Sequence, residues 1–429
     1  MRKLAFLAAA LAAVVSCGPS RDSILKVYNW SDYIDESVIG EFEQWYKEQT
    51  GEDVKVVYQT FDVNETMLSK IEKGREDYDV VCPSDYIIER MLNSGLLIPL
   101  DFAAIPDSIN YIDNNKSPYI NGIFKDINPS IDANDYSVAY MWGTTGIIYN
   151  PRYVTDEEAS SWGVIANPKF KDQVLIKDAP RDVFAPVLIY LKQNEIASGE
   201  VSLQDLMRDS SDQSLEAVEN FLKGAKDNVL GWEADFGKDQ MTKERGVLSI
   251  NWSGDGVWAI EEAAAVGVEL RYTVPEEGST VWFDGWVIPK YAVNVKAATY
   301  FIDFMCRPDI AIRNMEETGY VSANGAWEVL ESQIDEELDP IDLSYFFGEG
   351  ADSVRVDPVL YPDKAVIERC ALEHDWGEDT EKLLAMWSRV KGDNASWTTY
   401  IILGIALLAV IAIPLLTRGK KRSRRHSRR

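Results

Sequence analysis

The chain has 429 residues, more than one hydrophobic core ordinarily serves, so at about 100–200 residues per domain two lobes are expected. Its formal net charge is −27, yet 417–429 holds eight Lys or Arg and no acid, so the body before it is more acidic still. Such a body repels nucleic acid and draws cationic solutes, although acidic surface also serves solubility, and a hydrophobic fraction of 46% excludes a disordered chain.

Residues 1–17 read as a secretory leader. Arg2 and Lys3 form its positive end, and Leu4 to Val15 is an apolar run too short to span a bilayer. Val14-Val15-Ser16-Cys17 resembles a bacterial lipobox, with Cys17 as the lipidated N-terminus; an ordinary leader cut nearby is the other reading. Strand-like and helix-like segments then alternate. Leu25 to Tyr28 reads as a strand, and Glu36 to Thr50 as a helix with Val38, Phe42 and Trp45 on one face and Gly51 at its end. Val54–Tyr58 is a strand, Asn64–Ile71 a helix, Tyr78–Val81 a strand and Tyr86–Asn93 a helix closed by Gly95. This βαβαβα order implies a largely parallel sheet covered by helices.

The pattern resumes with a strand over 173–176, a helix over 181–193, a strand over 246–251, a helix near 257–265, a strand over 269–274 and a helix over 292–305. Residues 335–359 are acidic and read as loop-rich. Trp397 to Leu416 carries no charge and at about 1.5 Å per residue is long enough to cross a bilayer. Trp397 and Tyr400 stand at its start, and the basic tail follows it, which by the positive-inside rule puts the tail in the cytoplasm and 18–396 outside. With Cys17 lipidated, Cys82, Cys306 and Cys370 allow at most one disulfide or remain free thiols, and their spacing matches no metal motif.

Segments at expected strand ends share an unusual composition. Asn29-Trp30-Ser31-Asp32-Tyr33, Pro83-Ser84-Asp85-Tyr86, Asn251-Trp252-Ser253-Gly254-Asp255 and Trp282-Phe283-Asp284-Gly285-Trp286 each pair an aromatic ring with a carboxylate. Pro180-Arg181-Asp182 adds an acid and Gly319-Tyr320 a ring. Open α/β sheets bind ligands beyond the carboxyl ends of their strands. Indole and phenol faces attract cations and cover methylenes, while carboxylates offset the desolvation of ammonium groups. The set therefore suits an aliphatic ammonium. Singly, each Trp reads more readily as core than as a ligand contact, and Asp32 and Asp182 can be read as helix N-caps; it is the repetition that points to a site.

These strings, with Asn64-Glu65-Thr66-Met67, Tyr78-Asp79-Val80-Val81, Trp142-Gly143-Thr144-Thr145-Gly146, Arg181-Asp182-Val183-Phe184, Ile288-Pro289 and Thr318-Gly319-Tyr320, resemble the spermidine/putrescine-binding proteins of bacterial polyamine ABC importers, from about Leu25 to Lys391. The resemblance implies a two-lobe periplasmic-binding-protein fold of type II, with 24–141 and 284–324 as one lobe and 142–283 and 325–392 as the other. To that α/β fold the chain adds a C-terminal transmembrane helix over 397–416 and a cytoplasmic tail over 417–429. It also implies a polyamine, putrescine or spermidine, held between the lobes and passed to an ABC permease. Trp30, Tyr33, Tyr86, Trp252, Trp282 and Tyr320 would form an aromatic box. Asp182 and Asp284 would meet the ammonium groups, Ser31, Asp32, Ser84 and Asp85 would add polar contacts, and Asp255 would mark a putrescine type. Three residues before Asp182, where spermidine-type relatives carry an acid, stands Ala179, with Asp178 one residue earlier. Either the acid has moved or the contact is lost. A Gln near the family's C-terminus has no clear counterpart beyond the residues around His374.

Catalysis finds little footing: there are 2 His, one of them in the tail, and no Walker, HExxH or GxSxG motif. A glycosidase could use paired carboxylates, but the reading here is a non-enzymatic receptor without cofactor or metal, located at the outer face of the cytoplasmic membrane. The nearest alternative is a tethered receptor for another small cation, or a sensor without transport.

Overall fold

The computed structural model describes residues 20–233 and 236–392. Cys17 and the leader, and the expected membrane helix and basic tail, lie outside them. Among the described residues no helix is long and apolar enough to cross a membrane.

The alternation in the first hundred residues folds as parallel βαβ units. β1 (Ile24–Trp30) pairs in parallel with β2 (Lys55–Phe61) on one side and β3 (Val80–Val81) on the other. The intervening helix Ser37–Thr50 buries Val38, Phe42, Trp45 and Tyr46, and ends on Gly51, whose φ of 74° needs no Cβ. The helix Asn64–Glu72 buries Met67, Leu68 and Ile71 in the same way.

Two long strands then run through the middle of the molecule. β4 (Ser137–Tyr149) pairs antiparallel with β9 (Ser279–Val287) from Ser137 to Thr144. From Thr145 onward β4 changes partner to β7 (Leu248–Trp252), and its last residues also pair with β8 (Arg271–Thr273). β5 (Val174–Lys177) lies parallel to both β6 (Val229–Glu233) and β7. The strand order is β2-β1-β3-β9-β4-β7-β5-β6, with β10 (Val321–Ser322) on β4 and β11 (Cys370–Leu372) on β9. Every residue of β9 is buried, as expected of a strand covered on both faces.

One local expectation changes. The helix expected near Val257 begins at Ser253, directly after β7, because Trp252 is still extended and serves as its N-cap. The run 335–359 is loop-rich as expected, with one turn of helix at Ser344–Phe347, but it is anchored: Leu343, Phe346, Val354 and Val356 are buried, Phe346 stacks on Trp142 at 4.9 Å, and Ser117 Oγ donates to the Phe346 carbonyl at 2.7 Å. Its acids face outward between apolar anchors, which composition alone hides. Cys82, Cys306 and Cys370 are free thiols, and among the described residues no group of His, Cys, Asp or Glu could hold a metal ion.

Candidate functional site

The strand ends place the acid–aromatic segments together. Trp30 ends β1, Ser84 and Asp85 follow β3, Trp252 ends β7, and the helix carrying Asp182 (Pro180–Leu191) follows β5. Trp282 and Asp284, two apart on β9, project from one face, while Phe283 turns into the core against Trp142.

Asp284 is the hub. It is buried, at 6% exposure, and accepts from Tyr33 Oη at 2.8 Å and Ser84 Oγ at 2.6 Å. The Trp30 indole N–H approaches the same carboxyl without meeting hydrogen-bond geometry. Burial pushes the Asp284 pKa up to about 6, and the nearby Asp182 charge pushes the same way, against the two hydroxyl donors. From Tyr33 the rings continue edge to face: Tyr33 to Tyr320 at 5.2 Å, Tyr320 to Trp282 at 5.7 Å, and Trp282 to Trp252 at 6.5 Å. Trp252 Nε1 donates to Asp182 Oδ1 at 2.8 Å, so the chain of rings begins and ends on a carboxylate.

Glycines make room for this packing. A Cβ at Gly143 would lie 2.4 Å from Ser253 Oγ and 2.7 Å from the Trp282 ring. One at Gly254 would lie 2.4 Å from the Tyr320 ring. Gly319, at φ 74°, closes the preceding helix and aims Tyr320 back across the site.

Other expected residues take different roles. Asp85 has both oxygens on backbone N–H groups, of Tyr86 at 2.6 Å and Phe283 at 3.0 Å, and so pins the helix Asp85–Asn93 to β9. Ser31 Oγ donates to Asp62 at 2.7 Å. Asp32 is exposed, at φ 52°. It does not cap the next helix; the cap position is Glu36, and Asp35 just before it accepts from the Ser37 N–H at 2.9 Å. Nor is Asp182 a cap, since Ala179 holds that position and Asp182 lies inside the first turn. Asp178 has not moved into the site: it is exposed, and pairs with Trp387 Nε1 at 2.8 Å and with Lys391.

Asp255 lies deepest among cations. Lys177 Nζ is 2.8 Å from its Oδ2, Lys238 Nζ 3.3 Å from its Oδ1, and Tyr320 Oη donates to Oδ1 at 3.2 Å. Burial opposes ionisation, but the two lysines hold its pKa below the ordinary carboxylate value. Lys177 Nζ also sits 4.2 Å from the centre of the Trp252 ring.

Several members were not singled out from sequence. Asn64 Nδ2 donates to Ser84 Oγ at 2.9 Å and Tyr86 Oη at 3.1 Å, and Tyr86 Oη donates to Glu65 at 3.2 Å. Glu373, just after β11, is buried with Oε1 unpartnered; burial first, and then the Asp182 charge, raises its pKa well above the usual range. The Arg181 guanidinium lies 4.5 Å over Tyr86 and 4.9 Å over Trp376, and Arg181 Nη1 donates to the His374 carbonyl at 2.7 Å. The only sequence signal for Glu373 was its neighbour His374 near the family's C-terminal Gln; for Lys177 there was none, because a lysine ending an apolar strand resembles a solvent-facing residue.

Two sheet halves joined by shared antiparallel strands, with acids and aromatic rings gathered at the strand ends, make up the architecture of a small-solute receptor. The chain belongs to the bacterial extracellular solute-binding protein family, whose model matches residues 41–328. It is 30% identical to the putrescine-binding periplasmic protein of Escherichia coli, over 75% of this chain and 83% of that one. It is also 30% identical to the spermidine/putrescine-binding periplasmic protein of the same organism, over 86% and 92% of the two chains. Among solved structures it superposes on the spermidine/putrescine ABC transporter substrate-binding protein of Streptococcus pneumoniae with a TM-score of 0.62 and 31% identity, covering 86% of this chain and 98% of that one.

Proposed function

We propose that this chain is the extracytoplasmic binding component of an ABC importer and captures a polyamine in the cleft. The observation that carries this reading is Asp284: a buried carboxylate fixed by Tyr33 and Ser84, beside the rings of Trp282, Tyr320 and Trp30. One ligand ammonium meets Asp284, the other the Asp182–Glu373 side, and the rings sheath the methylenes. A charged hydrogen bond contributes about 1.5–3 kcal/mol, so two or three bring such a ligand to roughly micromolar affinity. The named relatives bind putrescine or spermidine, in keeping with this chemistry.

The chain acts by closure rather than catalysis. The first lobe comprises 24–141 and 284–324, and the second 142–283 and 325–392, with Phe346 and its neighbours reaching across onto the first. β4 and β9 are the hinge strands, and ligand stabilises the closed form that a permease reads. Lipid on Cys17 and a helix over 397–416 tether the receptor to the outer face of the cytoplasmic membrane and raise its effective concentration at the permease.

Calorimetric titration with putrescine, cadaverine, spermidine and spermine tests the reading. Saturable binding of at least one is expected, weakened about tenfold or more by Asp284→Asn. A folded protein that binds none of the four ends the polyamine reading.

A further inference from the structure

Behind Trp252 lies a buried group of charges that the binding scheme above does not use. Lys177 is 1% exposed and Glu233 0%. Lys177 Nζ reaches Asp255 at 2.8 Å and Glu233 at 3.7 Å, and Lys238 reaches Asp255 at 3.3 Å. Glu233 is further tied by the Gly237 N–H at 2.8 Å and Asn251 Nδ2 at 3.1 Å. Among the described residues two lysines face two carboxylates, so these four charges balance. Asp255, which the sequence offers as a ligand carboxylate, therefore already has its cations, and one of them lies against the face of Trp252.

The rest of the cleft is not balanced. Among the described residues Asp284, Asp182 and Glu65 lie around a single guanidinium, that of Arg181, leaving two negative charges; Glu373 is not counted, since burial raises its pKa well above the usual range. Asp85 is not counted with them, because backbone N–H groups take both its oxygens.

We infer that Lys177 is a resident ammonium that fills the place of a third ligand cation, so that the protein selects diamines over triamines. This rests on the polyamine reading above and deepens it. A dication neutralises the open part of the cleft. The additional ammonium of a triamine would have to displace Lys177 or Lys238 from Asp255 or go unpaired, and an unpaired buried charge is strongly disfavoured.

The test is calorimetry of the full-length protein in detergent with putrescine and spermidine. The wild type is expected to prefer putrescine by on the order of tenfold or more. Lys177→Met is expected to shrink that preference by about tenfold, because Asp255 regains an open oxygen. The double substitution Lys177→Met with Asp255→Asn removes both charges and is expected to keep the wild-type preference. Should Lys177→Met melt too low to titrate, Lys238→Met frees the other Asp255 oxygen and is expected to shift the preference in the same direction. A wild type that binds spermidine as tightly as putrescine overturns the inference and leaves the polyamine reading standing. A preference unmoved in folded Lys177→Met, or in Lys238→Met where that stands in for it, overturns it as well. Absence of binding by either amine removes the polyamine reading itself.

Discussion

Asp284 is held where it costs the free protein stability. Its folded pKa of about 6 lies above the ordinary carboxylate value of 3.8. The folded state therefore takes up a proton more readily than the unfolded chain, and this residue's penalty is relieved as pH falls from about 6 toward about 4. At about 1.4 kcal/mol per pKa unit, the penalty at neutral pH is roughly 2–3 kcal/mol. Asp284→Asn is accordingly expected to raise the urea stability of the ligand-free protein at pH 7.5 by about 1–2 kcal/mol while weakening amine binding. An equal or lower stability would mean that the carboxylate is not strained in the free state. The same titration governs binding. A cationic ligand needs the ionised form, so affinity is expected to be about tenfold weaker at pH 5 than at pH 7, with a break near 6 in a calorimetric pH series. An affinity flat across that range removes Asp284 as the ammonium partner.

At the scale of elements, the backbone at the strand ends decides which rings meet. Gly254 opens a helix beneath Tyr320, and Gly254→Ala forces a Cβ into that ring at a separation of 2.4 Å. Overpacking of this kind costs about 1–3 kcal/mol, and the variant is expected to show both a lower melting temperature and weaker amine binding. Normal binding would remove Tyr320 from the ligand's surroundings. The early βαβ units were legible in the sequence because apolar spacing and terminal glycines such as Gly51 and Gly95 agree there. The long strands β4 and β9 were not legible as strands, since their near-continuous burial erases the alternation that marks a strand. Repetition of rings and acids located Trp30, Tyr33, Trp252, Trp282 and Asp284. It could not tell Asp284, which has hydroxyl donors, from Asp255, which has lysines, or from Asp85, which has backbone N–H groups. That difference lies partly in what folds against each carboxyl from far along the chain: Lys177 reaches Asp255 across 78 positions and Asp85 meets Phe283 across 198.

At the scale of the whole molecule, charged contacts join the expected lobes. His374 Nδ1 lies 3.0 Å from Glu89, Arg208 3.5 Å from the same carboxylate, and Arg90 3.5 Å from Asp375. Since Glu89 is buried at 4% exposure, losing its charge leaves the Arg208 guanidinium unmatched. Glu89→Gln is expected to speed amine release by several-fold in stopped-flow measurements, with a smaller effect on association; an unchanged release rate would detach this cluster from closure. The tether is tested separately. A chain ending at Asn394 with Cys17 removed is expected to stay in the supernatant of a membrane preparation, whereas the full chain sediments.

The run of rings from Tyr33 through Tyr320 and Trp282 to Trp252 crosses from one expected lobe to the other, and two of its members are indoles. In the proposed hinge motion, opening parts Tyr320 from Asp255 and lets water reach both tryptophans. The receptor thus carries its own optical gauge: intrinsic emission is expected to shift to the blue on adding amine, and replacing Trp282 with Phe to remove most of that signal, reporting occupancy without any attached dye.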